Sequence, residues 1–179
     1  MELKGERVLP ASRETAWALL NDAAVLKECV PGCESMTASG ANAYELVMTA
    51  AIGPVKARFK GRLSVQDSEP PSRYRLLFEG QSAQAGFARG EARVELAELG
   101  ARETRLSYCA TAQIGGKLVQ IGARHIDAAA AATAECFFQS FAALLAARTT
   151  DGGATAAAPA ARPGLFGWLK SFLRHLRAR

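Results

Sequence analysis

Few residues in this chain have the chemistry to form a reactive centre. Cys29 and Cys33 stand four apart across a Pro-Gly turn, in CVPGC, a spacing that can offer two sulfurs to a metal or to each other. A structural zinc site needs four ligands. No second pair accompanies this one, since Cys109 falls in a strand pattern, Cys136 in a helical one, and the other candidates are His125 and His175. The pair is therefore expected to be a reduced turn, with no metal bound. His125, between Arg124 and Asp127 on a long helical pattern, has the type of a general base. No second acid, oxyanion donor set or metal cluster goes with it, so a solvated or hydrogen-bonded helix residue is expected. The glycines of GFARG and IGGK lack the spacing of a Walker or dinucleotide fingerprint, and no nucleotide site follows from them. Gly86 and Gly90 read as turn or bend residues, and Gly115 and Gly116 as the break before a long helix.

Charge is more telling once it is located. Residues 1–150 hold 17 basic and 16 acidic side chains, whereas residues 151–179 hold five and one. A nearly neutral body does not suit phosphate backbones, which call for a net basic face, so nucleic acid is excluded as a partner. Within the body, Lys56, Arg58, Lys60 and Arg62 form a row on one face of a strand, joined by Arg73 and Arg75. Such a row can dock an acidic partner surface. It can equally be a solvated face that deters edge pairing.

The basic tail has a second property. On a helical wheel Leu165, Trp168, Leu169, Phe172, Leu173 and Leu176 share one arc, with Phe166 at its edge and Lys170, Arg174 and Arg177 opposite or beside it. A helix over 165–179 is about 22 Å long, short of a hydrocarbon core of about 30 Å, so it is expected to lie in the interface of an anionic membrane. Each cation near such a surface adds about 1 kcal/mol. Packing on its own domain, or into a groove of a partner protein, is the plainer alternative. Residues 149–164, TTDGGATAAAPAARPG, carry no large apolar side chain and read as a flexible linker.

These groups need a scaffold, and residues 1–148 supply one domain's worth of pattern. The opening MELKGERVLP has no apolar stretch of signal-peptide length, and no run of 18 apolar residues occurs, so a cytoplasmic protein with reduced cysteines is expected. Residues 2–9 alternate as an edge strand, with Leu3, Gly5, Arg7 and Leu9 on one face. Ser12 and Asp22 cap two short helices, the second stopped by Pro31 and Gly32. Strand alternation follows in AYELVMTAAI and over 55–65, around Tyr74, Leu76 and Phe78, over Ala92, Val94 and Leu96, and from Leu106 to Ile114. Short turns between them mean antiparallel hairpins in one meandering sheet. From 117 to 148 no proline occurs and Ile126, Ala130, Thr133, Phe137, Phe141 and Leu144 recur at spacings of three or four, predicting one helix of about 30 residues. The expectation is an α+β protein whose curved antiparallel sheet wraps around a long C-terminal helix, leaving a cavity between them. Phe59, Tyr74, Phe78, Phe87, Tyr108, Leu118 and Ile121 are its expected wall, and an apolar small molecule its ligand.

This order of elements resembles the START-like, helix-grip (SRPBCC) superfamily. More narrowly, LNDAAVLKECVPGCE at 20–34, IGPVKARFKG at 52–61, GFARGEARV at 86–94 and IGGKLVQIGARHID at 114–127, with the pair Phe137 and Phe138, resemble the CoxG family of carbon monoxide dehydrogenase subunits. The resemblance implies a non-catalytic accessory protein that brings the molybdenum-containing CO dehydrogenase to the cytoplasmic membrane. It also implies a bound respiratory quinone, menaquinone or ubiquinone, through which electrons reach the membrane pool. His125 departs from the family pattern, where an aliphatic residue is common. Two other classes stay open on the same fold: a cyclase or hydratase using His125 and Tyr108 for proton transfer, and a lipid carrier independent of any dehydrogenase.

Overall fold

A computed structural model describes residues 1–150. The element order is β1 (Glu2–Leu9), α1 (Arg13–Leu20), α2 (Ala23–Cys29), β2 (Cys33–Gly40), β3 (Ala43–Ile52), β4 (Val55–Glu69), β5 (Arg73–Ser82), β6 (Gly86–Gly100), β7 (Glu103–Gly115), α3 (Leu118–Ile121) and α4 (Ala123–Thr150). All seven strands form one antiparallel sheet in the order β1-β7-β6-β5-β4-β3-β2. The fold class is as expected from the sequence. Thr149 and Thr150, expected to open the linker, instead end α4, and residues 151–164 and the terminal amphipathic segment lie outside the described residues.

The two short helices start where capping side chains allow. The Ser12 hydroxyl accepts from the Thr15 amide at 3.3 Å, and Asp22 Oδ1 accepts from Ala24 N at 2.8 Å and Val25 N at 3.4 Å, satisfying amides that a helix start leaves unpaired. Gly32, at φ 73°, then turns the chain into β2. Sequence pattern does not reveal that strand: CESMTASG buries only Met36, so it shows no apolar alternation.

The expected continuous helix over 117–148 is instead broken. Gly122 adopts φ 91°, a left-handed conformation that ends α3 after one turn, and α4 begins at Ala123. Ala123–Arg148 is long and apolar enough, at mean hydropathy 1.4, to cross a membrane by length and composition. Much of that apolarity is alanine, and its large side chains Phe141 and Leu145 are fully buried in the domain's own core.

The core is divided. One cluster gathers Leu9, Leu19, Leu20, Val25, Tyr74, Val94, Leu96 and Leu106 around Phe141 and Leu145, so α1, α2 and the C-terminal half of α4 close one end of the sheet. A smaller cluster of Ala57, Phe59, Ala85 and Leu118 lies under α3 at the other end. A third seats α2 on Met36, Tyr44 and Leu46.

Candidate functional site

The backbone neighbours of α4 are β1 and α2 toward its C-terminal half, and α3 and β3 near its start. It thus bridges one edge of the sheet to the far side, and the middle strands curve away beneath it. Registers fix what those strands present. Phe78 stands opposite Leu63 and Gly90, Gly90 opposite Ala112, and Ala92 opposite Leu76 and Ala110. With Gly61, Gly80 and Ala88, they floor the concave face, and every one of them is only half-buried. Inward-facing residues beneath a tightly seated helix would be buried outright. α4 therefore does not seal the middle of the sheet, which leaves a hollow open to solvent between the two clusters.

Its floor is small by construction. A Cβ at Gly90 would collide with the Thr111 carbonyl oxygen and sit 2.9 Å from Phe78 Cζ, so the glycine lets both the neighbouring strand and the Phe78 ring come close. On the β1 side a Cβ at Gly5 would meet the Tyr108 hydroxyl at 2.7 Å, and the Tyr108 ring stacks on Phe138 with centroids 5.1 Å apart. Arg7, on the same face of β1, places its guanidinium 5.6 Å from the Phe138 centroid and bonds Glu135 Oε2 through Nη2 at 2.6 Å. One wall thus combines two aromatic rings with a paired cation. Tyr74 sits deeper, edge-on to Trp17 at 5.4 Å. Burial pushes its phenol well above the usual range, with Tyr44 adding to the effect, so it stays a neutral O–H group.

The seven expected wall residues are distributed as follows. Phe78 and Tyr108 face the hollow and are half-buried. Phe59, Leu118 and Ile121 belong to the cluster that closes its α3 end, and Tyr74 to the opposite cluster. Phe87 does not belong to the set. It pairs with Gln81 and Gly115 at odd register, which turns its ring to the outer face, 40% exposed against Gly115 and near the Arg89 guanidinium. A large apolar ring suggests a wall position, but strand parity sends it outward. Arg7, Glu135 and Phe138 were missed, although an arginine on the apolar face of the first strand was a visible signal.

The outer face holds the basic row. Lys56, Arg58, Lys60 and Arg62 do project together from β4, but two of them are neutralised by neighbours. Arg58 bonds Glu34 at 2.8 Å, and Arg62 meets Glu45 at 3.3 Å. Hydrogen bonds from Arg58 and Thr49 hold the Glu34 carboxyl below the usual carboxylate range. Lys56 and Lys60 have no carboxylate partner among the described residues. Two open grooves of about 1280 and 620 Å³ run over this face, sharing Arg62 and Glu79.

His125 lies elsewhere again, exposed at the start of α4, where a Cβ at Gly53 would stand 3.3 Å from its Cδ2. Thirteen residues of helix separate it from Phe138, about 20 Å at 1.5 Å per residue, so the structure does not unite His125 with Tyr108. Cys29 is buried at the end of α2, and Cys33 starts β2 with its Sγ donating to Ser35 O at 3.4 Å. Among the described residues no three His, Cys, Asp or Glu side chains gather closely enough for a metal ion.

A curved antiparallel sheet gripping one long helix, with two short helices after the first strand and a hollow beneath the grip, defines a START-like, helix-grip protein. Residues 5–146 match the CoxG family of carbon monoxide dehydrogenase subunits, and the chain belongs to that family. Among solved structures, a conserved protein from Geobacillus kaustophilus is similar at 28% identity and TM-score 0.78, over 82% of this chain and 96% of that one. The Zhui aromatase/cyclase of Streptomyces sp. R1128 is similar at 12% identity and TM-score 0.65, over 87% and 99%. A START superfamily protein from Mycobacterium smegmatis is similar at 13% identity and TM-score 0.62, over 82% and 98%. The last two likenesses are of fold alone. No curated protein matches the chain.

Proposed function

We propose that this protein is an accessory subunit that serves a molybdenum-containing CO dehydrogenase by holding a hydrophobic molecule, a respiratory quinone such as menaquinone or ubiquinone, and by bringing the enzyme to the inner face of the cytoplasmic membrane. Membership of the CoxG family supports the dehydrogenase as partner. The observation that carries the ligand half is the hollow: a floor of glycine and alanine under a long helix, with Phe78, Tyr108 and Phe138 as its aromatic surfaces. Such a space suits a flat, apolar ring, and the small floor residues leave room for a prenyl chain. Lys60, an unpaired member of the outer row, is the cation available to an acidic face of the enzyme. The amphipathic segment Leu165–Arg179 supplies the affinity for anionic lipid.

Native mass spectrometry of the full-length protein, taken from cells without denaturation, tests the ligand. A retained mass matching a prenylated quinone supports the proposal. A phospholipid would identify a lipid carrier instead, and an empty protein after quinone supplementation would defeat the ligand half. For recruitment, the dehydrogenase should sediment with anionic vesicles only when this protein is present. Sedimentation that is indifferent to it would defeat that half.

A further inference from the structure

Three chain connections converge at one end of the domain. The β3–β4 turn at Gly53 approaches Ile121 and His125, with a Cβ there 3.4 and 3.3 Å from them. The β5–β6 turn is fastened to α3 by a 2.9 Å bond from Leu118 N to Ala85 O. Leu118 is the buried root of α3, packed with Phe59, Ala57 and Ala85. The opposite side of the same turn carries Val119, 58% exposed, the second most exposed large apolar side chain among the described residues.

Around Val119 the unpaired charge is positive. Residues 50–58, 80–90 and 112–126, which build this end, contain no aspartate or glutamate. Lys56, Lys117 and Arg124 are all exposed there, and none has a carboxylate within ion-pair distance among the described residues. Arg89, nearby on β6, bonds only the neutral Gln113, at 3.1 Å. Arg58, at the edge of this end, is already paired with Glu34, and Arg7, Arg13, Arg62, Arg73 and Arg75 are paired with acids elsewhere.

We propose that this α3 end is a second lipid contact, formed by the folded body itself, which docks end-on to an anionic bilayer with Val119 dipped among the headgroups. A protein partner would call for a broad apolar or aromatic core in the patch. One exposed aliphatic side chain ringed by unpaired cations fits a shallow interfacial anchor instead. The proposal deepens the membrane part of the proposed function, and it sets the α3 end of the hollow against the bilayer from which an apolar ligand would come.

The test uses the full-length chain on vesicles of phosphatidylcholine with phosphatidylglycerol, and on phosphatidylcholine alone. Lys56→Gln, Lys117→Gln and Arg124→Gln change exposed residues, so the fold is kept. Each should weaken binding to the anionic vesicles about fivefold, corresponding to about 1 kcal/mol per cation. Arg102→Gln with Arg105→Gln, exposed at the far end of β7, should change it little. In a Trp168→Phe background, Val119→Trp should be quenched by brominated lipid, and Val8→Trp should not. Unchanged affinity of the three glutamine variants, or absence of quenching at position 119, overturns the proposal. The terminal segment is judged separately by Trp168→Asp with Phe172→Asp. If that variant binds normally while position 119 is still quenched, the tail reading fails and this one stands.

Discussion

Replacing Ala92 by phenylalanine asks directly whether the space under α4 is open. Ala92 lies mid-floor, between Leu76 and Ala110, and is half-buried. If the hollow is real, the new ring rests on the floor without displacing the helix and removes roughly 100 Å² of apolar surface from water. At about 25 cal/mol per Å² this gives about 2.5 kcal/mol, reduced by roughly 1 kcal/mol of lost rotamer freedom. A net gain of about 1 to 2 kcal/mol raises Tm by roughly 3 to 6 °C in a domain of this size. If α4 were seated on the sheet, the same ring would overpack the core and cost about 1 to 3 kcal/mol. The sign of the change therefore decides, and urea unfolding of the purified variant reads it. Ala92→Phe should also lose the retained ligand mass, because the ring occupies the ligand's place. A destabilised variant, or a stabilised one that still carries ligand, would refute the hollow as the binding site.

Two further outcomes follow from the packing and the ion pairs. Phe141→Ala removes a fully buried ring from the main cluster and should cost about 3 to 5 kcal/mol in chemical denaturation, against the small effect of a change to the floor. Glu135 is held below the usual carboxylate range by hydrogen bonds from Gln139, at 2.9 Å, and from Arg7. A depressed carboxylate stabilises the fold above its unfolded pKa, and that contribution disappears as pH falls through the lower folded value. Glu135→Gln should therefore narrow its gap to the parent protein as the pH of urea unfolding is lowered from neutral into the acid range. A gap that stays constant would mean that the pair carries no linked stability.

Period and capping made most of the framework readable. Ser12 and Asp22 cap helices where the sequence placed them, and strands with one apolar face, such as AYELVMTAAI, declared themselves by alternation. β2 did not, because an edge strand that buries only Met36 is free to be polar on both faces. The break at Gly122 was equally silent. A single glycine within a helical period costs about 1 kcal/mol and is often tolerated; here the chain leaves the helix, and the hairpin tip at Gly53 packs against both Ile121 and His125 across the break. For the site, parity correctly turned Ala92, Ala110 and Ala112 inward. What the sequence could not convey was the height of α4 above them, since that distance is set by clusters far apart in the chain.

That height has a cost, and its distribution suggests why it is kept. Filling the floor with leucines would bury three or four more side chains, each adding about 1.5 to 3 kcal/mol. The chain instead concentrates its large apolar groups at the two ends, where Phe141 and Leu145 of α4 meet Leu9 and Leu106 and where Leu118 of α3 meets Phe59, and leaves glycine and alanine along the middle. α4 is thus held near both ends, through the main cluster and through α3 and the Gly53 turn, while its middle stands over the small residues. A bound apolar ligand would supply the missing contacts, and at a hundredfold excess over its Kd it would add about 2.7 kcal/mol of stability by linkage. The protein would then be least stable when empty, which is the state that benefits from standing with its α3 end and unpaired cations against the membrane that holds the ligand.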